Sequence, residues 1–265
     1  MVLVDTHCHL YLSEFTVDME AVLQRAADNQ VNTVIVVGID ALTSQQAVQM
    51  ADKYESVFAA VGIHPNSEVI DIEGELKQIE SWLDHPKVVA IGEIGLDYYW
   101  ETVSPEEQKY RLSRQLRIAS DLGLPIIVHN RNAMPDLYPL VAEWSKDRAG
   151  QSYASGKLLG VFHSFSEDHP WAEKLVDIGF LIGVSGVITF PNARKIKNVV
   201  RSISLTQLLL ETDAPYLCPQ PFRGKRNEPA YLVYVLREVA SILSASEETV
   251  AETTTKNAQT LFGIG

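Results

Sequence analysis

Eight short runs of β-branched and aliphatic residues recur along this chain, and polar stretches with helical spacing lie between most of them. No other feature constrains the fold as much. The runs fall at residues 2–5, 33–37, 57–61, 88–91, 125–128, 159–162, 180–184 and 207–210. Their starts are about 29 residues apart on average, from residue 2 to residue 207. Residues 106–122 show the helical spacing: Tyr110, Leu112, Leu116, Ile118, Ala119 and Leu122 repeat every three to four positions. Residues 17–29 repeat it with Met19, Val22, Leu23 and Ala26. Near-continuous apolar strands alternating with amphipathic helices require a parallel sheet covered on both faces. Eight units in this length predict a closed (β/α)8 barrel, the TIM-barrel architecture, as one domain over 1–265. An open doubly wound sheet is the rival, but no Gly-rich first turn supports it. Two helices are expected after the last strand, over 229–243 and 247–262. The polar stretch 146–157 reads as a loop at the N-terminal face of the barrel.

Charge limits what this barrel can hold. There are 22 Lys and Arg against 34 Asp and Glu, a formal net charge of −12. A broad basic coat for nucleic acid is therefore excluded, although a local basic site is not. The two cysteines, Cys8 and Cys218, are too few for a disulfide framework, which points to a reducing compartment. The start MVLVDTH has neither the basic stretch nor the long apolar core of a signal peptide. No apolar run approaches the roughly 20 residues that span a bilayer. The expectation is a cytoplasmic protein with no membrane contact and no obligate protein partner.

The ionisable residues fall where barrel chemistry is built. His7 and His9 close the first predicted strand, and period-2 alternation turns both imidazoles to one side with Cys8 opposite. His64 follows the third run, Glu93 ends the fourth, His129 the fifth and His163 the sixth, and Asp213 follows the eighth. Five of the seven histidines end predicted strands; only His85 and His169 do not. Carboxyl ends of barrel strands converge on one mouth, so residues some 200 positions apart become neighbours. A lone His at a strand end is usually a hydrogen-bonded surface residue, but this coincidence of imidazoles and carboxylates is a metal-ligand set. Six ligands exceed what one tetrahedral ion uses while keeping an open position. Two divalent cations, Mg, Mn or Zn, roughly 3.5–4 Å apart and sharing a carboxylate fit better. Glu93, central in strand order, is the natural bridge.

The chain resembles the TatD family of metal-dependent deoxyribonucleases, within the amidohydrolase-like barrel group. The matching segments are VDTHCHL, VGIHP, IGEIGLDYY, LPIIVHNRNA, GVFHSFS, LLETDAPYL and RGKRNEP, in order along essentially the whole chain. The resemblance implies a first metal on His7, His9, Glu93 and Asp213, and a second on Glu93, His129 and His163. It implies His64 near the substrate phosphate, and removal of nucleotides from the 3′ end of DNA. Asn132 and Glu167 depart from it, standing where the family often has an acid and a glycine.

The expected reaction is phosphodiester hydrolysis. Glu93, Asp213 and His64 are the catalytic candidates, with Asp213 accepting a proton from the attacking water and His64 donating to phosphate. Arg131, Arg223, Lys225 and Arg226 are candidate contacts to DNA, single-stranded or at its 3′ ends, through charge-assisted bonds to phosphate. Tyr98, Tyr99 and Trp100 are candidates to stack a base. Each group also has a plain alternative, a solvated basic loop or rings packed on the barrel rim. The rival function is an amidohydrolase-type hydrolase of a small non-nucleic substrate, since fold does not fix substrate. A non-catalytic protein keeping metal for stability is the third reading, and the complete ligand set argues against it.

Overall fold

The computed structural model describes residues 2–152 and 158–265. Eight parallel strands run in chain order: β1 (Leu3–Cys8), β2 (Val31–Val37), β3 (Val57–Val61), β4 (Val88–Asp97), β5 (Ile126–Arg131), β6 (Gly160–Phe162), β7 (Phe180–Val184) and β8 (Leu208–Leu210). Helices α1 (Met19–Asp28), α2 (Ala41–Lys53), α3 (Ile72–Glu80), α4 (Pro105–Leu122), α5 (Met134–Ser152), α6 (His169–Asp177) and α7 (Arg194–Ser202) alternate with them. After β8 come α8 (Leu232–Leu243) and α9 (Glu247–Phe262). The architecture is the (β/α)8 barrel.

Local signals set the helix ends. Ser104 caps α4 by accepting the Glu107 N–H, Pro105 opens its first turn, and Gly123 closes it in the left-handed region at φ 69°. Asp40 and Thr43 form a reciprocal capping box on α2. Two apolar layers follow. Val4, Ile35, Val37, Ala60, Ile127, Val161, Leu181 and Leu209 form an inner cluster with Leu261, Phe262 and Ile264 from the end of the chain. A larger cluster joins the strands to the surrounding helices.

The sheet closes between its first and last strands without a regular ladder. The Thr6 hydroxyl donates to Leu210 O (3.1 Å), the Asp213 N–H to His7 O (2.9 Å) and the His9 N–H to Ala214 O (2.7 Å). Below them the Asp5 carboxylate accepts the Thr212 N–H at 2.9 Å and the Thr212 hydroxyl at 2.5 Å. This seam sets Asp213 beside His7 and His9.

Several boundaries differ from the sequence reading. β1, β4 and β5 continue past the apolar runs to Cys8, Asp97 and Arg131, so His7, Glu93 and His129 lie within strands instead of at their ends. Apolar runs end where side chains turn polar, but at a barrel mouth the backbone stays paired beyond that point. Residues 229–231 form a 3-10 turn before α8, and α1 starts at Met19, not at residue 17. The expected loop 146–157 is helical as far as Ser152, because Lys, Arg and Ala favour a helix as readily as an exposed loop. The remainder of that stretch, 153–157, lies outside the described residues.

Candidate metal centre

The structure brings His7, His9, Glu93, His129, His163 and Asp213 together at the floor of the mouth. Glu93 is central and nearly buried. Its Oε1 lies 2.8 Å from His129 Nδ1 and 2.7 Å from His163 Nε2. Its Oε2 lies 3.5 Å from His7 Nε2 and 3.8 Å from His9 Nε2. Asp213 Oδ1 completes the second group, 3.5 Å from His9 Nε2 and 3.9 Å from His7 Nε2. One carboxylate thus turns each oxygen to a different set of donors.

Backbone irregularity aims these side chains. The β1–β2 register shifts between Asp5 and Cys8, and the β4–β5 register between Ile91 and Ile94. Such shifts re-aim side chains beside functional sites. Gly95 carries φ +148°, and a Cβ there would stand 2.0 Å from His129 O, so only glycine lets β4 approach β5 this closely. Cys8 points away from the cluster, fully buried, with its thiol against Ile35 O.

Hydrogen bonds at the outer nitrogens decide which inner nitrogens carry a lone pair. His9 Nδ1 donates to Val37 O at 2.9 Å, which frees Nε2 as a ligand atom. His129 Nε2 donates to Asp97 Oδ2 at 3.0 Å, which frees Nδ1. His163 Nδ1 is buried without a hydrogen bond and faces Glu211 Oε1 at 3.7 Å, leaving Nε2 toward Glu93. His64 is the opposite case. Although it can be grouped with Glu93 and His129 as a possible ion cage, its Nδ1 accepts the Asn66 N–H at 3.1 Å. The neutral ring therefore carries its proton on Nε2, 3.9 Å from Glu93 Oε1. His64 is a donor aimed into the mouth, not a lone-pair ligand.

Burial disfavours charge on all these groups, and only close partners restore it. Burial pulls the His64 imidazole down to about 3 and His7 to about 4, so both are neutral. It opposes the charge on Glu93 as well, but the imidazoles of His163, His129 and His7 outweigh it and hold that carboxyl well below the usual range. Burial likewise opposes protonation of His163, yet the Glu93 charge lifts it to about 10. The centre could hold cations: it has an anionic hub and converging imidazole nitrogens, of which His163 would give up its proton to a bound ion, with these groups 2.7–3.9 Å apart. That spacing suits the edges of a divalent ion's coordination shell with bonds of about 2.1 Å.

Three acids here were not singled out in the sequence. Asp97 orients His129, Glu211 accepts the Ser164 N–H beneath His163, and Asp5 holds the seam. A period-2 search would have found them, since Asp97, Glu211 and Asp5 stand four, two and two residues from Glu93, Asp213 and His7. Gly183 leaves room for Glu211, whose Oε2 would stand 2.6 Å from an added Cβ.

The rim cations divide into two kinds. Arg131 lies over the Tyr99 ring at 3.8 Å, Arg223 over Phe190 at 4.7 Å and Lys225 over Phe222 at 5.7 Å. All three are exposed, and none has a carboxylate within ion-pair distance among the described residues, so their charge is not compensated locally. Arg226, expected alongside them, is instead spent inside the fold. Its guanidinium binds both Asp18 oxygens, at 2.7 and 2.9 Å, and Glu228 at 3.4 Å, while Arg25 holds the same two acids. Tyr98 is tied to Asp136 through its hydroxyl at 3.0 Å. Asn132 takes φ 57° where β5 ends, a conformation asparagine tolerates, and Glu167 accepts from Asn130 at 3.1 Å.

The Arg226 cluster predicts a stability phenotype. The hydrogen bonds from Arg226, then Arg25, hold the Asp18 carboxyl well below its ordinary value. A folded pKa below the unfolded one adds stability that is present above about pH 4 and is lost as pH falls through the folded value. Arg226→Ala will lower the urea midpoint at pH 7, and its gap to wild type will narrow below about pH 4. A pH-independent gap would mean that packing, not the ion pair, carries the effect.

A barrel whose strand ends converge four imidazoles and two carboxylates around one hub defines a class, the metal-dependent barrel hydrolases. Comparison with known proteins narrows it. The family model "TatD related DNase" matches residues 4–263. The uncharacterized metal-dependent hydrolase YabD of Bacillus subtilis is 38% identical over 262 residues, covering 99% of each chain. The crystal structure of YjjV, a TatD homologue from Escherichia coli, superimposes with a TM-score of 0.91 at 34% identity, covering 99% of this chain and 98% of that one. A TatD family hydrolase from Entamoeba histolytica, 22% identical, shares the fold with a TM-score of 0.84. The chain belongs to the TatD-related DNase family and is a metal-dependent hydrolase. Among the described residues no helix is long and apolar enough to cross a membrane.

Proposed function

We propose that this protein is a deoxyribonuclease that removes nucleotides from the 3′ end of single-stranded DNA in the cytoplasm, using two divalent cations. The observation that carries this reading is the divided Glu93 carboxylate, with one oxygen facing His129 and His163 and the other facing His7 and His9, the two imidazoles that Asp213 also approaches. His7, His9, Glu93 and Asp213 would hold one ion, and Glu93, His129 and His163 the other; Mg, Mn and Zn all suit these donors. When bound, such a pair supplies a nucleophilic water at neutral pH and offsets the charge of the phosphate oxygens.

The protein's own groups do the rest. His64 Nε2–H donates to a non-bridging phosphate oxygen, a role open to the neutral imidazole whose Nδ1 accepts the Asn66 N–H. Asp213, on the turn after β8, accepts the proton from the attacking water. Arg131, Arg223 and Lys225 attract the strand, since each is held by a ring rather than neutralised by an acid. The net charge of −12 then favours a grip confined to the mouth over wrapping of a duplex.

Digestion of oligonucleotides labelled at the 3′ or the 5′ end, with Mg²⁺, Mn²⁺ or Zn²⁺ supplied in turn, tests the reading. Immediate release of the 3′ label as mononucleotide, with a ladder growing from the 5′-labelled strand, is expected. Inert oligonucleotides with turnover of a small amide or phosphoester would favour the rival substrate class. The size of the central cavity, about 210 Å³, gives that rival its one structural support.

A further inference from the structure

The mouth is ringed by apolar side chains that the fold leaves uncovered. Nine large apolar residues are well exposed among the described residues. Six of them, Val17, Leu42, Ile70, Tyr99, Trp100 and Tyr216, lie between the carboxyl end of a strand and the first turn of the next helix. The concentration is densest after β4. Tyr99 and Trp100 are 51% and 55% exposed, their rings meet edge to face at 4.9 Å, and the Arg131 guanidinium covers one face of Tyr99.

This group is fixed, not draped. One Asp97 oxygen accepts the Tyr99 N–H at 2.9 Å and the Trp100 N–H at 3.3 Å, while the other accepts from His129 at 3.0 Å. Gln108 pins both ends of the same loop: it accepts the Asp97 N–H at 2.8 Å and donates to Val103 O at 3.0 Å. Arg131 pairs with Asp97 in the β4–β5 register, two residues beyond His129. Two strand residues span about 6–7 Å, so the rings and the metal centre are neighbours with a common carboxylate. Neither the Tyr99 hydroxyl nor the Trp100 indole N–H has a protein partner among the described residues, so neither ring is anchored by its polar atom.

The geometry points to a base-stacking platform formed by Tyr99, Trp100 and Arg131, on which an unpaired base of a DNA strand lies while its phosphate enters the metal centre. This rests on the nuclease reading above. A rigid aromatic pair beside a stacked guanidinium suits the flat face of any base and contributes without sequence preference. A duplex end offers no such face until its bases part, so the platform selects single strands. Asp97 links the two parts, so the orientation of the ligand His129 and the height of the platform are set by one group.

The test removes the stacking partner from each side. Oligonucleotides carrying an abasic analogue at each of the last three 3′ positions in turn are compared with the intact strand, using wild type and the Tyr99→Ala/Trp100→Ala variant. In wild type, loss of the base at one position lowers kcat/KM between about five- and 150-fold, the range expected for one stacked base. In the variant, the intact-to-abasic ratio at that position falls to about one. A wild-type rate indifferent to base removal at all three positions, or a ratio that survives in the variant, overturns the platform. Wild type cleaving neither intact nor abasic strands would instead refute the nuclease reading, and the platform with it. Both side chains are exposed; should the double variant not fold, the two single variants carry the same comparison.

Discussion

Glu93→Gln will reduce turnover by at least about three orders of magnitude and lower the bound divalent metal per chain, with the fold retained. The expected loss follows from the role of a bridging carboxylate in a two-metal site, where neighbouring ions share one anion. Glutamine keeps the volume of the side chain but loses the charge and turns an NH₂ toward one donor group. The groups affected are those 2.7 and 2.8 Å from Oε1, or those 3.5 and 3.8 Å from Oε2. The imidazoles then lose the anion that offsets bound cations, and in the buried floor of the mouth little water is present to replace it. Elemental analysis of the purified variant, alongside its melting curve and its rate on oligonucleotides, separates the possible causes. Unchanged metal content with unchanged turnover would refute the bridging role.

His64→Ala will lower kcat by about 10²–10³-fold, the usual cost of removing one donor to a charge that develops in the transition state, while metal content stays at the wild-type value. The split between the two measurements matters most. His64 stands close to Glu93 and His129 and could be mistaken for a ligand on proximity alone. The Asn66 N–H on its Nδ1 argues otherwise, because a ring accepting there carries its proton on the atom that faces the mouth. Loss of a metal ion in this variant would reverse the assignment. Retained metal with retained turnover would remove His64 from the chemistry altogether.

The site was legible in the sequence to an unusual depth, for a reason tied to this fold. In a barrel, eight strand ends meet at one rim, so linear position within each repeating unit already encodes spatial proximity. His7, His9, Glu93, His129, His163 and Asp213 could therefore be grouped although nothing local links them. Their division between two ions is what the resemblance to the family implies. What did not follow was the shell behind them. Asp97, Glu211 and Asp5 look like ordinary acids in or beside strands until their partners are seen, and period-2 spacing from a candidate site residue is their only mark in the chain. Arg226 failed in the opposite direction. It sits in the basic segment with Arg223 and Lys225, but Asp18 and Glu228 claim it, and Asp18 is far away in sequence.

The sequence by itself determined the alternation of buried strands with amphipathic helices, and with it the barrel and the identity of the residues at its mouth. These are consequences of short-range periodicity, which the chain carries residue by residue. The tertiary structure alone decided which nitrogen of each histidine faces inward, which cations keep their charge free and where the strands shift register. Most of those outcomes depend on single contacts between segments distant in sequence. Val37 O on His9, Asp97 on His129 and the ring of Tyr99 beneath Arg131 are such contacts. No periodicity specifies them, because each exists only once the barrel has closed.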